Sequence, residues 1–192
     1  MNHITCKNRK TIEKKILDGC RKGKRKYQKM LYERYYAYGI GMCYRYAYNS
    51  EEAVEILNDS FMKVFDNIEK FDEKQPFRPW FRKIIINRAI DYYRANMKHH
   101  NTESLDDEEV EVHETATVDE LELKDLMDLL NGLPERYRLV FNLYEVEGYT
   151  HQEISEKLGI SESTSRADLS RAKKILRKKY GDYYQKNYEQ II

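Results

Sequence analysis

Apolar residues along this chain recur at intervals of three and four rather than two, which predicts helices and no strands. The clearest run is Ala53, Ile56, Leu57, Phe61, Val64, Phe65 and Ile68, one stripe of a half-buried helix. Ser50 is placed to cap that helix, and Glu51 and Glu52 are favourable in its first turn. Before it, Leu31, Tyr35, Tyr38, Met42 and Tyr46 keep helical spacing, although Gly39 and Gly41 interrupt the run. Each of these glycines costs about 1 kcal/mol of helix propensity, which packing must offset. After it, "FDEKQPFRPW" reads as a loop held by Pro76 and Pro79, and "WFRKIIINRAIDYYRANMKHH" resumes a helix. Leu123, Leu126, Leu129, Leu130 and Leu133 pattern another helix up to "NGLPE". Pro134 suits the first turn of its successor, which carries Val140, Leu143 and Tyr144.

Between these helical halves the pattern disappears. Residues 101–122 hold ten Asp or Glu and no Lys or Arg, so the strip carries −10 and the rest of the chain +11, within a formal net charge of +1. High charge of one sign with few large apolar residues predicts a flexible linker. The expected fold is therefore all-α: two small helical domains joined by an acidic linker. The domain limits are 1–100 with a basic N-terminal extension, 101–120 for the linker, 121–180 for the second domain, and a Tyr-rich tail over 181–192. With 192 residues and 41% hydrophobic content, two thin cores suit the chain. Basic surfaces on either side of an acidic strip point to a partner that carries phosphate, nucleic acid foremost.

Other classes fall away on composition. Cys6, Cys20 and Cys43 are too few and too scattered for a disulfide framework and lack the paired spacing of a zinc site, so a reducing cytosol is expected. The N-terminal stretch has no apolar core for a signal peptide, and no run approaches the roughly 18 apolar residues that would cross a bilayer. A cytoplasmic protein with no membrane insertion is the expectation. There is no glycine-rich phosphate loop and no nucleophile elbow, and His99, His100 and His113 lack a fixed i, i+4 pair for a metal. No cofactor, metal or catalytic residue is expected.

The most specific signal lies in "THQEISEKLGISESTSRADLSRAKKILRKKY". Thr150 and Glu153 have capping-box spacing, Ile154 and Leu158 give a short helix its apolar side, Gly159 can end it in the left-handed conformation, and Ser161 can cap the next. A short helix, a glycine turn and a longer basic helix make a helix-turn-helix, whose second helix enters the major groove. At 100° per residue that helix buries Ser165, Leu169, Ala172 and Leu176 and turns Ser163, Thr164, Ala167, Ser170, Arg171 and Lys174 outward. Small residues permit close approach, while Arg and Lys reach base edges or phosphates. Asp168 lies about 100° from the centre of that face on the projection. There it flanks the groove-facing surface and is a candidate to orient Arg171 or to accept from a cytosine amino group.

A second constellation closes the first domain. Asn87, Asp91 and Arg94 form one polar stripe at i, i+4 and i+7. Around it Arg78, Arg82, Lys83, Arg88, Arg94 and Lys98 alternate with Phe77, Trp80, Phe81, Tyr92 and Tyr93. Aromatics beside cations suit unstacked bases, the rings stacking and the cations following the backbone. Spacing leaves open that the same stripe is an intrahelical hydrogen-bond set and that the rings are mostly core.

From about Ile16 to Tyr180 the chain resembles the extracytoplasmic-function sigma factors, the two-domain members of the sigma-70 family. "LYERYYAYGIGMCYRYAYNSEEAVEILNDSFMKVFDNIEKF" and "PFRPWFRKIIINRAIDYYR" look like the sigma-2 domain, and "LPERYRLVFNLYEVEGYTHQEISEKLGISESTSRADLSRAKKIL" looks like the sigma-4 domain. The resemblance implies a non-catalytic promoter-specificity subunit. Its partners would be core RNA polymerase (the beta-prime clamp helices and the beta subunit), promoter DNA, and a membrane-bound anti-sigma factor. Carried over by residue, Glu55, Asn58 and Asp59 would meet core polymerase. Phe77, Trp80, Asn87, Arg88, Asp91 and Arg94 would melt and read minus-10 DNA, and Ser163, Thr164, Arg166, Asp168, Arg171 and Lys174 would read minus-35 DNA. Two positions depart from the family pattern: Ser165, usually small and apolar, and Asp168, often basic. The runner-up is a stand-alone helix-turn-helix regulator. A third reading is a metal-dependent nuclease acting through His99, His100 and the acidic strip.

Overall fold

The computed structural model describes residues 3–100 and 129–189, with side chains over 11–96 and 129–181. Among the described residues the chain is all helix and turn. It divides into two compact units, Met1–Tyr92 and Tyr93–Ile192. The expected linker over 101–120 lies outside the described residues, as do Leu123 and Leu126 of the helix expected before Pro134.

The first unit is built by α1 (His3–Arg21), α2 (Arg25–Cys43), α3 (Ser50–Asn67), a 3-10 turn (Ile68–Lys70) and the first part of α4 (Phe77–His100). The basic N-terminal extension is helical: α1 places Ile16, Leu17 and Cys20 in the core, and Gly23 (φ 64°) turns the chain back into α2. Arg21 fastens this corner, donating to the Phe71 carbonyl at 3.1 Å and pairing with Glu73. The cap of α3 sits one residue earlier than expected. Asn49, in extended backbone, accepts from the Glu52 amide at 2.8 Å, and Ser50 is the first helical residue.

The core of the unit is aromatic. Phe81 lies 4.8 Å from Phe61 and 5.6 Å from Phe77, and Tyr35 lies 4.6 Å from Phe77, between ring centroids. Such tilted and stacked pairs add to the hydrophobic gain of burying large rings. Gly39 owes its place in α2 to this core. A Cβ there would stand 2.5 Å from a Leu57 methyl and 3.1 Å from the Phe81 ring, so its absence lets α3 and α4 side chains reach the α2 backbone. That close approach offsets the propensity cost.

The second unit contains helical residues 129–131, α5 (Glu135–Phe141) running on into a π turn (Asn142–Val146), α6 (His151–Leu158) and α7 (Glu162–Glu189). Pro134 occupies the cap position (ψ 141°) rather than the first turn. The apolar interior is Leu130, Leu133, Leu139, Val140, Leu143, Ile154, Leu158, Leu169 and Ala172. The expected Tyr-rich tail is continuous with α7 up to Glu189.

Candidate nucleic-acid and polymerase interfaces

The turn between α6 and α7 is fixed by its caps. Thr150 Oγ1 accepts from the Glu153 amide at 3.2 Å, while Glu153 accepts from the Thr150 amide at 2.8 Å, a complete capping box. Those amide and hydroxyl donors hold the Glu153 carboxyl below the usual carboxylate range. Gly159 (φ 69°, ψ 32°) ends α6 with its amide on the Ser155 carbonyl at 2.9 Å. Ser161 Oγ then accepts from the Thr164 amide at 3.0 Å and starts α7. Every capping signal read from the sequence of this turn is formed.

On α7, Ser165, Leu169 and Ala172 are buried and Leu176 is half-buried. Ser163, Arg166, Ala167, Ser170, Arg171 and Lys174 are exposed, and Thr164 is half-buried. Arg166 pairs back to Glu162 at 2.6 Å and Arg171 to Asp168 at 3.7 Å, both side chains staying about 60% exposed, and Lys174 is exposed beside them.

Two features of this unit correct or extend the sequence reading. Asp168 does not flank the groove-facing surface. It is fully buried, and its carboxylate accepts a two-point contact from Arg136, Nε to Oδ2 at 2.7 Å and a guanidinium NH2 to Oδ1 at 3.2 Å, while the i, i+3 pairing with Arg171 that the sequence offered is formed at 3.7 Å. The projection placed Asp168 at the margin of the outward face, and α5 covers that margin with a guanidinium whose fork matches a carboxylate. Ser165 is explained by His151, which sequence reasoning missed. His151 Nδ1 lies 2.9 Å from Ser165 Oγ, and the imidazole stacks on Tyr144 at 4.5 Å. The hydroxyl at a position expected to be apolar thus has a partner on α6. Burial, with the nearby charge of Arg166, holds the His151 pKa below its ordinary value. The available signal was a histidine directly after a capping threonine. Arg136 had none, lying 32 residues from its partner.

On α4, Asn87, Asp91 and Arg94 are exposed and Trp80 is half-buried. Phe77 is a correction. It is 1% exposed, packed on Tyr35, Phe71 and Phe81, and cannot offer its face to a base. The reason is positional: the helix begins at Phe77, directly over the aromatic core. The ion pairs here run from Arg88, to Asp91 at 3.4 Å and to Asp59 on α3. Two residues assigned to different tasks, Arg88 and Asp59, are thereby brought together. Arg78 covers the Tyr38 ring at 5.2 Å.

The outer face of α3 exposes Glu55 and Asn58, whose Oδ1 accepts from the Tyr32 hydroxyl at 3.1 Å. Val54 (37% exposed) and Met62 (60%) lie four residues to either side of Asn58. Both are apolar residues off the buried stripe, a sequence signal that was readable and not used. An exposed strip of mixed polar and apolar groups on a rigid helix suits a protein partner. Of the cysteines, Cys20 and Cys43 are described and buried, and burial pushes the Cys20 thiol up to about 11 and the Cys43 thiol up to about 12, away from the thiolate form.

Fold and surfaces define a DNA-binding protein with a helix-turn-helix in one unit and a cation- and aromatic-bearing helix closing the other. Comparison with known proteins agrees. The family described as Sigma-70 region 2 matches residues 31–99, and Sigma-70, region 4 matches residues 123–176. Among curated relatives, "RNA polymerase sigma factor SigV" of Bacillus subtilis (strain 168) is 29% identical over 136 residues, covering 71% of this chain and 80% of that one. The "ECF RNA polymerase sigma-E factor" of Haemophilus influenzae is 25% identical over 177 residues, covering 85% and 93%. A solved structure of the sigma factor RpoE with the anti-sigma factor NepR from Bartonella quintana is 18% identical, with a TM-score of 0.47, and covers 78% of this chain and 94% of that one. The chain belongs to the sigma-70 family, in its extracytoplasmic-function group.

Proposed function

We propose that this chain is the promoter-specificity subunit of a bacterial RNA polymerase, working in the cytoplasm without catalytic chemistry of its own. Each of the three faces, on α3, α4 and α7, has a task in this reading. The α3 strip of Val54, Glu55, Asn58 and Met62 meets core polymerase. On α4, Trp80, Asn87, Asp91 and Arg94 capture minus-10 bases, with Arg88 holding α4 to α3 through Asp59. Ser163, Thr164, Arg171 and Lys174 on α7 meet minus-35 DNA. Capture of bases by stacking and hydrogen bonding offsets an unstacking cost of a few kcal/mol without ATP.

The observation that carries the proposal is the pairing of region 2 and region 4 matches on one chain with an uncovered, basic α7 face set by the Thr150–Gly159–Ser161 caps. A stand-alone regulator would account for the helix-turn-helix and leave the region 2 match without a role. No helix among the described residues is long and apolar enough to cross a membrane. The side chains named for the nuclease reading, His99, His100 and the acidic strip, lie outside the described residues. By analogy with many members of this group, a membrane-bound anti-sigma factor is the third partner in this reading.

Run-off transcription with core polymerase and a promoter library tests the proposal. Specific start sites are expected only when this chain is added, and failure to bind core would refute it. Within that assay, Asn87→Ala should reduce permanganate reactivity of minus-10 thymines several-fold while leaving closed-complex affinity within about twofold. Equal loss of both would remove Asn87 from melting.

A further inference from the structure

A feature outside both family matches is the corner between α1 and α2. Here a cleft of about 390 Å³ opens between the two helices. Lys14, Lys15, Lys22 and Lys24 line it, with Asp18 as its one carboxylate and the Tyr27 ring against Gly19 at its side. The acid is spoken for, since Asp18 pairs with Arg21 at 3.2 Å, and Lys14 reaches Glu73 at 3.4 Å. Lys15, Lys22 and Lys24 have no carboxylate partner among the described residues. All three are exposed, and together they give this concavity a positive potential that favours an anion.

A second observation points the same way. Lys24 is the cap residue of the 19-residue α2, in extended backbone (φ −76°, ψ 110°) with no side-chain cap bond, and the first turn of α2 has no acidic residue. A lysine at a helix N-terminus opposes the helix dipole and leaves the first amides without a side-chain acceptor. Both penalties vanish if a phosphate oxygen sits there. The surrounding sequence is basic well beyond one ligand's reach, with eleven Lys or Arg against two Asp or Glu over residues 1–30. That spread suits a polymer better than a small anion, and lysine point charges suit backbone phosphates rather than base edges.

We infer that the α1–α2 cleft is a phosphate site for the DNA backbone, a non-sequence-reading contact additional to the two promoter-reading helices. The inference rests on the promoter-binding role proposed above. The test uses the full chain and a fluorescent duplex of random sequence, titrated over a salt series. Lys22→Gln/Lys24→Gln should flatten the slope of log K against log salt by about 1.8, from about 0.9 per duplex phosphate contact. Lys63→Gln on α3 should leave it unchanged. Lys24→Asp separates a binding role from a structural one. A cap acceptor should raise the melting temperature and slow amide exchange at the start of α2, while DNA affinity falls.

Three outcomes overturn the inference: parallel salt slopes for wild type and the double variant, no salt-dependent binding by wild type, or stability and affinity rising together in Lys24→Asp. Inorganic phosphate is titrated separately. Its binding with unchanged DNA slopes assigns the cleft to a free anion and also refutes the DNA contact. Run-off transcription by wild type distinguishes failure of this site from failure of the promoter-specificity reading.

Discussion

Replacing Asp168 by Ala separates a buried ion pair from a base-reading carboxylate. Asp168 is fully buried and Arg136 keeps 21% of its side chain exposed, joined by contacts of 2.7 and 3.2 Å. Removing one member of a buried pair costs about 3–5 kcal/mol, mostly because the partner is left unpaired. Arg136 can recover some hydration through its exposed fifth, which brings the loss to about 2.5 kcal/mol. Alanine regains roughly 0.5 kcal/mol of helix propensity. The net expectation is about 2 kcal/mol, or about 8–16 °C in the melting of a unit of this size.

The assay is thermal unfolding combined with amide exchange of α7, because a chain of two units need not melt in one step. Arg136→Met/Asp168→Leu should return to within about 1 kcal/mol of wild type, since an apolar pair of similar volume leaves no orphaned charge. Promoter preference in Asp168→Ala should keep its rank order, with affinity reduced uniformly. A changed minus-35 preference with unchanged melting would refute the reasoning and restore Asp168 to the DNA.

The remaining predictions use other parts of the fold. Gly39→Ala gains about 1 kcal/mol of helix propensity but forces a methyl onto Leu57 and Phe81. A net loss of about 1–2 kcal/mol in urea unfolding is expected, and a gain would disprove the close approach. His151 has a lowered pKa in the folded chain, so the unfolded chain binds more protons through the range below about 6.5. Stability of the α6–α7 pair should therefore be level above about pH 7.5 and fall as the pH drops through 6.5. Amide exchange of α7 should show that fall in wild type and a reduced one in His151→Gln. Arg171→Ala should weaken minus-35 binding and flatten the salt slope by about 0.9 if it contacts a phosphate. Unchanged affinity over a salt series would count against the orientation of α7.

What was legible in the sequence follows from how local its cause is. The α6–α7 turn was readable in full because each of its determinants acts over four residues or fewer: Thr150 on Glu153, Gly159 on Ser155, Ser161 on Thr164. The stripe of α3 was equally plain, and only its cap moved, from Ser50 to Asn49, both being good capping residues. The helix α1 was passed over because a run of lysines masks its few apolar positions. Ile16, Leu17 and Cys20 become significant only once α2 lies beside them.

The misplaced residues share a different cause. Phe77 and Asp168 were assigned outward by motif and projection, and each was drawn inward by a group distant in sequence, the aromatic core for one and Arg136 for the other. A helical projection fixes the angle of a residue and says nothing about what covers that angle. Position 168 shows the consequence for function. Its negative charge, on a helix that would approach phosphates, is cancelled within the protein by Arg136. The outward face of α7 is then left to Arg171, Lys174 and small polar residues, a surface more favourable to DNA than the linear count of charges suggested.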